Sequence, residues 1–448
     1  MLQLPNYVHD FIKKFTENDF KIYVVGGTVR GLLMAHEVND WDFTTDAKPD
    51  EIQKLFPHSF YNNAFGTVGI PMDIEGSPMV FEVTTFRKES GYSNVRHPDN
   101  VKWANKIEDD LGRRDFTINA IAYNGKTIVD PYRGQEDIKN KIIRAVGDPD
   151  TRFAEDALRL MRAVRQATQL GFTIEENTLA SIQKNSELIT KISGERIRDE
   201  FFKILSSPHA ADGILLLRNT QLLKYILPEV DVCFGIDQKS PERHHIYDVG
   251  THLVESLRHC QSIDVITRFA TLIHDIGKAK TVRKDEKTGI VTFYNHEVVG
   301  TKQATEIASR FKLSNKEKEK LETLVRHHQF TVNEKQTDKA IRRFIRDVGV
   351  ENIDYMLALR TGDRLGSGAK ETSWRTELFK KRIDEVQIIP FSVNDLKIDG
   401  HDVMKELGLK PGPEIGKILN TIFTEVEEGK LKNEKEVLLE RLKLTVKP

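Results

Sequence analysis

Two aspartates separated by one residue, Asp40 and Asp42, are well suited to chemistry near the N-terminus. In a strand, residues i and i+2 point to the same face, so both carboxylates would be directed at one point. Paired carboxylate oxygens suit Mg²⁺, and Mg²⁺ suits nucleotide phosphates. Because Asp-x-Asp is also common on exposed strands and loops, the pair needs support from its surroundings.

That support comes from the preceding segment, in which two valines lead into Gly26 and Gly27 and then Arg30. The glycines let the backbone turn tightly and approach a ligand without a Cβ in the way. Phosphate donors and metal ligands would then lie within one short unit. Glu82, in a later stretch with a β pattern, is a candidate third carboxylate, although it could equally be a solvent-facing strand residue.

A second polar group follows in Arg113-Arg114-Asp115, which leads through an apolar run to Asn119. Arginine makes planar, bidentate contacts to phosphate, and an aspartate can orient an arginine or a ribose hydroxyl. We therefore expect Arg114 above all to contact a triphosphate.

Beyond residue 150 the pattern becomes helical, and Asp156 and Arg159 are i, i+3 neighbours on a predicted helix. A carboxylate and a guanidinium side by side can match the Watson–Crick edge of a base; the plain alternative is an ordinary ion pair on a helix. Arg162 and Arg165, one and two turns further on, would lie near phosphates.

Histidines and aspartates form another constellation between residues 243 and 365. Its members are His252, His274, Asp275 and Asp363, with His296, His327 and His328 between them. Adjacent His and Asp residues at a helix kink can both ligate one metal, and mixed His/carboxylate sites favour divalent cations with open positions for water. The pattern does not distinguish Mg²⁺, Mn²⁺ and Ni²⁺, and it is also compatible with a fold kept only as a scaffold.

Bulk composition limits the remaining possibilities. A chain of 448 residues predicts two to four domains, and a net charge of −1 excludes a global basic field, so nucleic acid would have to bind at local Arg/Lys clusters. The two cysteines form no metal or disulfide pattern, and no apolar run approaches a membrane span, so we expect a cytoplasmic protein without membrane contact.

Together, Gly-Gly-x-Val-Arg, Asp-x-Asp, Arg-Arg-Asp and Glu155-Asp156-x-x-Arg159 resemble the class II tRNA nucleotidyltransferase (CCA-adding) and bacterial poly(A) polymerase family. Gly31 stands where members of that family have Asp. The element Ile-His-Asp-Ile-Gly-Lys around His274 resembles the HD phosphohydrolase superfamily. The matched motifs run from Gly26 to beyond residue 430.

The resemblance implies an α+β fold with a small mixed β-sheet head followed by helices. It divides the chain into a catalytic nucleotidyltransferase head (1–146), a helical neck for base recognition (147–215), a helical body with an HD domain (216–385) and a helical tail (386–448). In the tail, Gly412, Gly416 and Lys417 are expected to contact tRNA, because a glycine-flanked helix start exposes backbone N–H groups to phosphate.

The implied activity is template-independent addition of C, C and A to the 3′ end of tRNA from CTP and ATP, with two Mg²⁺ ions at Asp40 and Asp42. The nucleotide would be bound by Gly26, Gly27, Arg30, Arg113, Arg114, Asp115 and Asn119. A divalent metal of open identity would occupy His252, His274, Asp275 and Asp363. Three alternatives remain: an A-only or poly(A) enzyme, an HD-dependent phosphatase or 2′,3′-cyclic phosphodiesterase as main or second activity, and a non-catalytic RNA-binding protein.

Overall fold

The computed structural model describes residues 2–61, 66–91, 100–238, 246–330, 332–333, 335–370, 373–386 and 393–445. The chain forms two compact units. The first contains residues 1–234 and 307–313, and the second contains residues 235–306 and 314–448. The four-part division into head, neck, body and tail is finer than this and stays a prediction.

The first unit begins with a mixed seven-stranded sheet, in the order β3-β4-β5-β2-β1-β8-β9. Its strands are β1 (Ile22–Val25), β2 (Asp42–Thr45), β3 (Phe60–Tyr61), β4 (Thr67–Ile74), β5 (Ser77–Thr85), β8 (Ala122–Tyr123) and β9 (Ile128–Val129). The pairing of β2 with β5 is parallel, and the neighbouring pairs are antiparallel. Two further strands, β6 (Arg87–Ser90) and β7 (Asn100–Trp103), form a separate antiparallel pair.

Helix α1 (Asn6–Thr16) covers the sheet with one apolar face, on which Val8, Phe11, Ile12 and Phe15 are all buried. Phe11 packs on Phe43 of β2, with ring centroids 4.7 Å apart. Aromatic contact of this kind adds to the burial of apolar area, so the strand that begins at Asp42 rests on a well-packed core.

Helices dominate the rest of this unit. They are α2 (Gly27–Leu33), α3 (Pro49–Leu55), α4 (Ile107–Gly112), α5 (Gly134–Asn140), α6 (Pro149–Glu155), α7 (Leu158–Leu170), α8 (Glu176–Asn185), α9 (Gly194–Leu205), α10 (Ala210–Asn219), α11 (Leu223–Ile226) and α12 (Pro228–Asp231). Two short strands, β10 (Ile142–Ile143) and β11 (Thr173–Ile174), pair in parallel.

The second unit is helical apart from the small hairpin β12 (Arg283–Lys284) and β13 (Val291–Thr292). Its helices are α13 (Val249–Arg258), α14 (Val265–Ile273), α15 (Lys278–Thr281), α16 (His296–Arg310, whose last residues belong to the first unit), α17 (Asn315–His327), α18 (Asp338–Val348), α19 (Ile353–Gly366), α20 (Trp374–Val386), α21 (Gly400–Leu407), α22 (Pro413–Glu427) and α23 (Lys435–Thr445).

The predicted fold class, a small mixed sheet followed by helices, is confirmed. Within the described ranges, none of the helices combines the length and the apolar character needed to cross a bilayer.

Candidate active site

The turn between β1 and α2 brings backbone, guanidinium and carboxylate together. Gly26 has φ +68°, and a Cβ at this position would lie 3.0 Å from Nη1 of Arg114 and 3.7 Å from Oδ2 of Asp42. Any side chain here would be strained and would enter the space between these two charged groups. Both reasons explain why glycine occupies the position.

Thr28, which the sequence analysis did not single out, fixes the Asp-x-Asp segment to α2. Its hydroxyl donates to the carbonyl of Asp40 at 3.0 Å and accepts the N–H of Asp42 at 3.2 Å. The side chain is buried. In the sequence, the hydroxyl residue directly after the two glycines could have indicated this role.

The three candidate carboxylates lie on adjacent parallel strands or next to them. Asp42 opens β2 opposite Glu82 of β5, and Asp40 is exposed two residues earlier, with buried Trp41 between the aspartates. The two aspartates therefore alternate with a buried residue, as expected for extended backbone, although Asp40 lies just before β2.

The electrostatics of Asp42 fit a cation. Burial, together with the Asp40 and Glu82 carboxylates, raises the pKa of Asp42 to about 6, while Arg114 acts in the opposite direction. A divalent ion would relieve this repulsion. Within the described part of the chain, the ligand atoms of the three carboxylates do not form a group within 4.8 Å. Mg²⁺ takes several of its ligands from substrate phosphates and water, so the protein need not supply all of them.

The two adjacent arginines have different environments. Arg113 pairs with buried Asp110 at 2.8 Å and with Glu89 at 3.1 Å. Arg114 has a longer contact to Asp110, 3.3 Å, and its buried Nε donates to no group among the described residues. Arg114 therefore has a donor available beside Asp42, whereas Arg113 is held by internal ion pairs at the edge of the same cleft.

A hydrogen-bonded network joins the head to α7. Asn119 accepts from Arg30 and donates to Asp115 and Gln166, both at 3.0 Å. Asp115 accepts from Arg162 at 2.8 Å. Burial alone would raise the pKa of Asp115, but Arg162 and Asn119 outweigh it and hold that pKa well below its usual range. Asp115 thus orients an arginine, and Gln166 is a further site residue that the sequence analysis missed.

The continuous helix predicted through Asp156 is wrong, because α6 ends at Glu155 and α7 begins at Leu158. Asp156 is extended (φ −140°, ψ 106°) and accepts the N–H of Leu158 at 3.0 Å, as a residue does at a helix start. Asp156 and Arg159 therefore do not pair with each other. Arg159 lies 2.5 Å from Glu155 instead.

Asp156 pairs with Arg196 of α9 at 3.2 Å. Arg198, on the same helix, contacts Asp199 and the carbonyl of Lys312. Arg165 lies 2.8 Å from buried Glu200 on the same helix. Helix α9 therefore holds two of the charged residues predicted for nucleotide binding.

These groups line one cleft of about 440 Å³. Its lining residues are Gly26, Gly27, Arg30, Asp42, Arg113, Arg114, Asp115, Asn119, Asp156, Leu158, Arg159, Arg162, Arg165, Gln166 and Arg196. Arginines outnumber aspartates here, so the cleft is electropositive and suits a polyphosphate.

The second unit holds a separate buried cluster. His252 of α13, His274 at the end of α14 and Asp275 just after it offer ligand atoms that all lie within 4.8 Å of one another. Asp363 of α19 adds a carboxylate oxygen 3.3 Å from Nε2 of His252. The expected juxtaposition of these four residues, with His274 and Asp275 where the backbone leaves a helix, is present.

Charges in this cluster favour ionised carboxylates. Burial would raise the pKa of Asp275, but Lys278, whose Nζ lies 2.5 Å away, and His274 hold it well below its usual range. A hydrogen bond from His252 and the nearby His274 likewise lower the pKa of Asp363 despite its burial. The set contains the imidazole nitrogens and carboxylate oxygens that a divalent transition metal prefers.

The predicted RNA-contacting residues lie at one end of α22. Gly412 precedes the helix, and Gly416 and Lys417 are exposed in its first turns. Their role in RNA contact stays a prediction.

Three family models match separate parts of the chain. The poly A polymerase head domain matches residues 22–144, the RNA- and SrmB-binding site of polymerase A matches residues 171–234, and tRNA nucleotidyltransferase domain 2 matches residues 281–442. Fold and site together define a nucleotidyltransferase with a poly A polymerase head. The CCA-adding enzyme of Ligilactobacillus salivarius (strain UCC118) is 32% identical over 434 residues, which cover 96% of this chain and 94% of the relative. The chain belongs to the family of CCA-adding enzymes.

Other similarities agree with this. The CCA-adding enzyme of Lactobacillus helveticus (strain DPC 4571) is 49% identical over 205 residues, 45% of this chain and 50% of the relative. The crystal structure of the Bacillus stearothermophilus CCA-adding enzyme in complex with CTP matches with a TM-score of 0.72 and 27% identity, over 99% of this chain and 98% of that one. A Thermotoga maritima CCA-adding enzyme complexed with tRNA-CCA shares the fold, with a TM-score of 0.60 at 19% identity over 100% of this chain and 97% of that one.

Proposed function

We propose that this chain adds C, C and A to the 3′ end of tRNA from CTP and ATP without a nucleic-acid template. The observation that carries the proposal is the single cleft that joins Asp42 and Arg114 to Asp156 and Arg159. One nucleotide could reach both groups, with its triphosphate beside the carboxylates and its base at the break between α6 and α7. The family to which the chain belongs supports the same activity.

The mechanism follows from the positions of the charged groups. Asp40 and Asp42, with Glu82 as the third carboxylate, would hold two Mg²⁺ ions, which when bound lower the pKa of the primer 3′-hydroxyl and neutralise the leaving pyrophosphate. Arg114 would donate to the triphosphate with its free Nε. Arg30, fixed in orientation by Asn119, would donate from the α2 side of the cleft.

Base selection is assigned to Asp156 and Arg159. Asp156 pairs with Arg196, and Arg159 pairs with Glu155. A base that binds here would therefore meet groups that are already charged and oriented. A correct base offers an exocyclic amine to Asp156 and acceptors to Arg159. A base with the wrong donor pattern leaves one of them unpaired, which is costly in a partly buried site.

We expect Asp156→Asn and Arg159→Ala to lower kcat/KM for CTP and ATP by about 10- to 100-fold, because each loses a charge-assisted hydrogen bond. Incorporation of UTP and GTP should fall much less, so that discrimination weakens. Single-nucleotide extension with each triphosphate measures this ratio. Arg198→Ala, on α9 but outside the cleft, is the matched control, and unchanged discrimination in both variants would contradict the assignment.

The activity is tested with purified protein, Mg²⁺ and two tRNAs, one lacking CCA and one ending in CC. Extension of the first by three nucleotides, only with CTP and ATP together, establishes CCA addition. Extension only of the second, by one A, identifies an A-only enzyme, and unlimited A addition identifies a poly(A) polymerase. No addition to either tRNA overturns the proposal.

Finer proposals rest on this activity. The tail would contact tRNA through Gly412, Gly416 and Lys417, whose exposed helix start suits a phosphate. The four-part division into head, neck, body and tail is retained. A cytoplasmic location follows from tRNA as substrate and fits two buried cysteines that form no disulfide with each other.

A second candidate function is metal-dependent hydrolysis of a phosphate ester in an HD-type site of the second unit. It is favoured by the buried convergence of His252, His274, Asp275 and Asp363. Hydrolysis of p-nitrophenyl phosphate or a 2′,3′-cyclic nucleotide should survive Asp42→Ala and be lost in His274→Ala. Absence of hydrolysis with Mg²⁺, Mn²⁺ and Ni²⁺ would contradict it.

A further inference from the structure

A row of directly paired residues crosses four neighbouring strands of the sheet and contains two of the candidate metal ligands. Asp42 of β2 lies opposite Glu82 of β5. Glu82 lies opposite Gly69 of β4, which in turn lies opposite Phe60 of the edge strand β3. Directly paired residues point to the same face of a sheet. Phe60 therefore shares the face of the carboxylates, and its backbone is roughly 10 Å from that of Glu82 at the ordinary spacing of strands.

The ring of Phe60 extends across β4 towards Glu82. A Cβ added at Gly69 would lie 2.7 Å from Cε2 of this ring, so the ring occupies the space that a side chain at position 69 would fill. Gly69 does not have a positive φ, and its backbone conformation does not require glycine. The absence of a side chain at this position is what lets an aromatic ring lie next to the metal ligand.

The same face is open to solvent around the ring. Phe60 is 47% exposed, and the paired residues Pro71 and Val80, each two positions further along its strand from Gly69 and Glu82, are exposed as well. Contiguous apolar surface beside a functional site is typical of a binding surface. The sheet face thus passes directly from carboxylates to an exposed apolar edge.

The nucleotide cleft lies on the other side of Asp42. Of the described residues that line it, none comes from β3, β4 or β5. In a phosphoryl or nucleotidyl transfer, the attacking and the leaving oxygen lie roughly in line on opposite sides of the phosphorus. With the triphosphate at Gly26 and Arg114, the primer hydroxyl would reach Asp42 from the side of β5. The end of the primer would then lie over the face on which Phe60 is exposed.

We propose that Phe60 is the platform on which the terminal base of the tRNA primer stacks. This inference rests on the proposed function and adds to it a residue that binds the primer rather than the nucleotide. The terminal base changes during CCA addition, from the base that precedes CCA to the first C and then the second. An aromatic ring accepts all of them, because every base has a π face and stacking does not read hydrogen-bonding groups.

The first test replaces the ring and keeps its bulk. In Phe60→Leu, we expect KM for a CC-ended tRNA at saturating ATP to rise about 5- to 100-fold, the range for losing one base–aromatic stack. KM for ATP should stay unchanged, since the cleft is untouched. Tyr61→Leu is the matched control: Tyr61 is the next residue, is 46% exposed, and shares the opposite face of the sheet with buried Val68.

The second test removes the base from the primer. Equilibrium binding is measured by fluorescence anisotropy with a labelled CC-ended tRNA and with the same tRNA whose terminal nucleotide is abasic. The parent and Tyr61→Leu should bind the abasic tRNA about 5- to 100-fold more weakly, whereas Phe60→Leu should bind both tRNAs equally weakly. A Phe60 that only supports the fold would leave the full difference between the two tRNAs in the variant.

The outcomes separate the platform from the proposed function. Equal KM for tRNA in Phe60→Leu and Tyr61→Leu, with the difference between the two tRNAs retained in both, overturns the platform and leaves CCA addition in place. Phe60→Tyr keeps the ring and should retain the parent's KM for tRNA; binding as weak as that of Phe60→Leu would also overturn the platform. Failure of the parent protein to extend either tRNA overturns the proposed function and the platform with it.

Discussion

Asp42→Asn is expected to slow nucleotide addition on the order of 1,000-fold, the upper range for removing one charged group that stabilises a transition state. Asparagine keeps the shape of the side chain and removes its charge. Only Asp40 and Glu82 would then remain as charged carboxylates that could hold the two cations. Single-turnover extension of a CC-ended tRNA with ATP isolates the chemical step.

The same variant should not lose stability. Burial and two neighbouring carboxylates disfavour the ionised form of Asp42, so a neutral side chain removes a repulsion from the folded state. Tm is therefore expected to stay level or rise, which separates a catalytic defect from unfolding. Asp50→Asn, exposed on α3, is the control, and extension by Asp42→Asn at a rate near that of Asp50→Asn would refute the metal assignment.

Arg114→Ala is expected to lower kcat/KM for CTP and ATP by about 100-fold, because a donor aimed at the triphosphate is lost. Arg114→Lys should recover little of this, since an ammonium cannot reproduce the bidentate fork. Steady-state extension over a range of triphosphate concentrations measures the effect.

Folding should tolerate this change, because Asp110 keeps its shorter contact to Arg113. Arg218→Ala, which removes an exposed arginine packed on Phe234 away from the cleft, serves as the control. If Arg114→Ala and Arg218→Ala had equal kcat/KM, the triphosphate would have to be bound elsewhere.

Sequence reasoning predicted the parts of the head whose geometry is local. The positions of Gly26, Arg30 and Asp42 follow from a strand, a tight turn and a second strand, and each step is set by neighbouring residues. Pairing of Glu82 with Asp42 required a parallel strand contact across 40 positions, so the sequence could offer Glu82 only as a candidate.

In the predicted neck, the periodicity of apolar residues did not reveal where one helix ends and the next begins. Leu158, Met161 and Val164 form an apolar stripe of α7, and that stripe predicted one helix through Asp156. The break arises because the Asp156 side chain accepts a backbone N–H of the next helix, and because Arg196 from α9 binds the same carboxylate. Neither contact can be inferred from the spacing of apolar residues.

In the second unit, His296 and His328 were visible as histidines but could not be assigned a partner. They come from the ends of different helices, and only tertiary packing brings both of them to Asp275. His327, the other member of the same dipeptide, does not join the metal-binding groups found among the described residues. Sequence alone cannot distinguish two adjacent histidines at a helix end.

The hydroxyl of Thr28 links helix α2, which we propose binds the phosphates, to backbone atoms of both aspartates. The spacing between triphosphate and carboxylates would thereby be set independently of the base, which would be read at Asp156 and Arg159. Nucleotide selection and bond formation would therefore depend on different residues of the cleft. An enzyme built this way can change its preference from C to A between successive additions while its reacting groups stay in place.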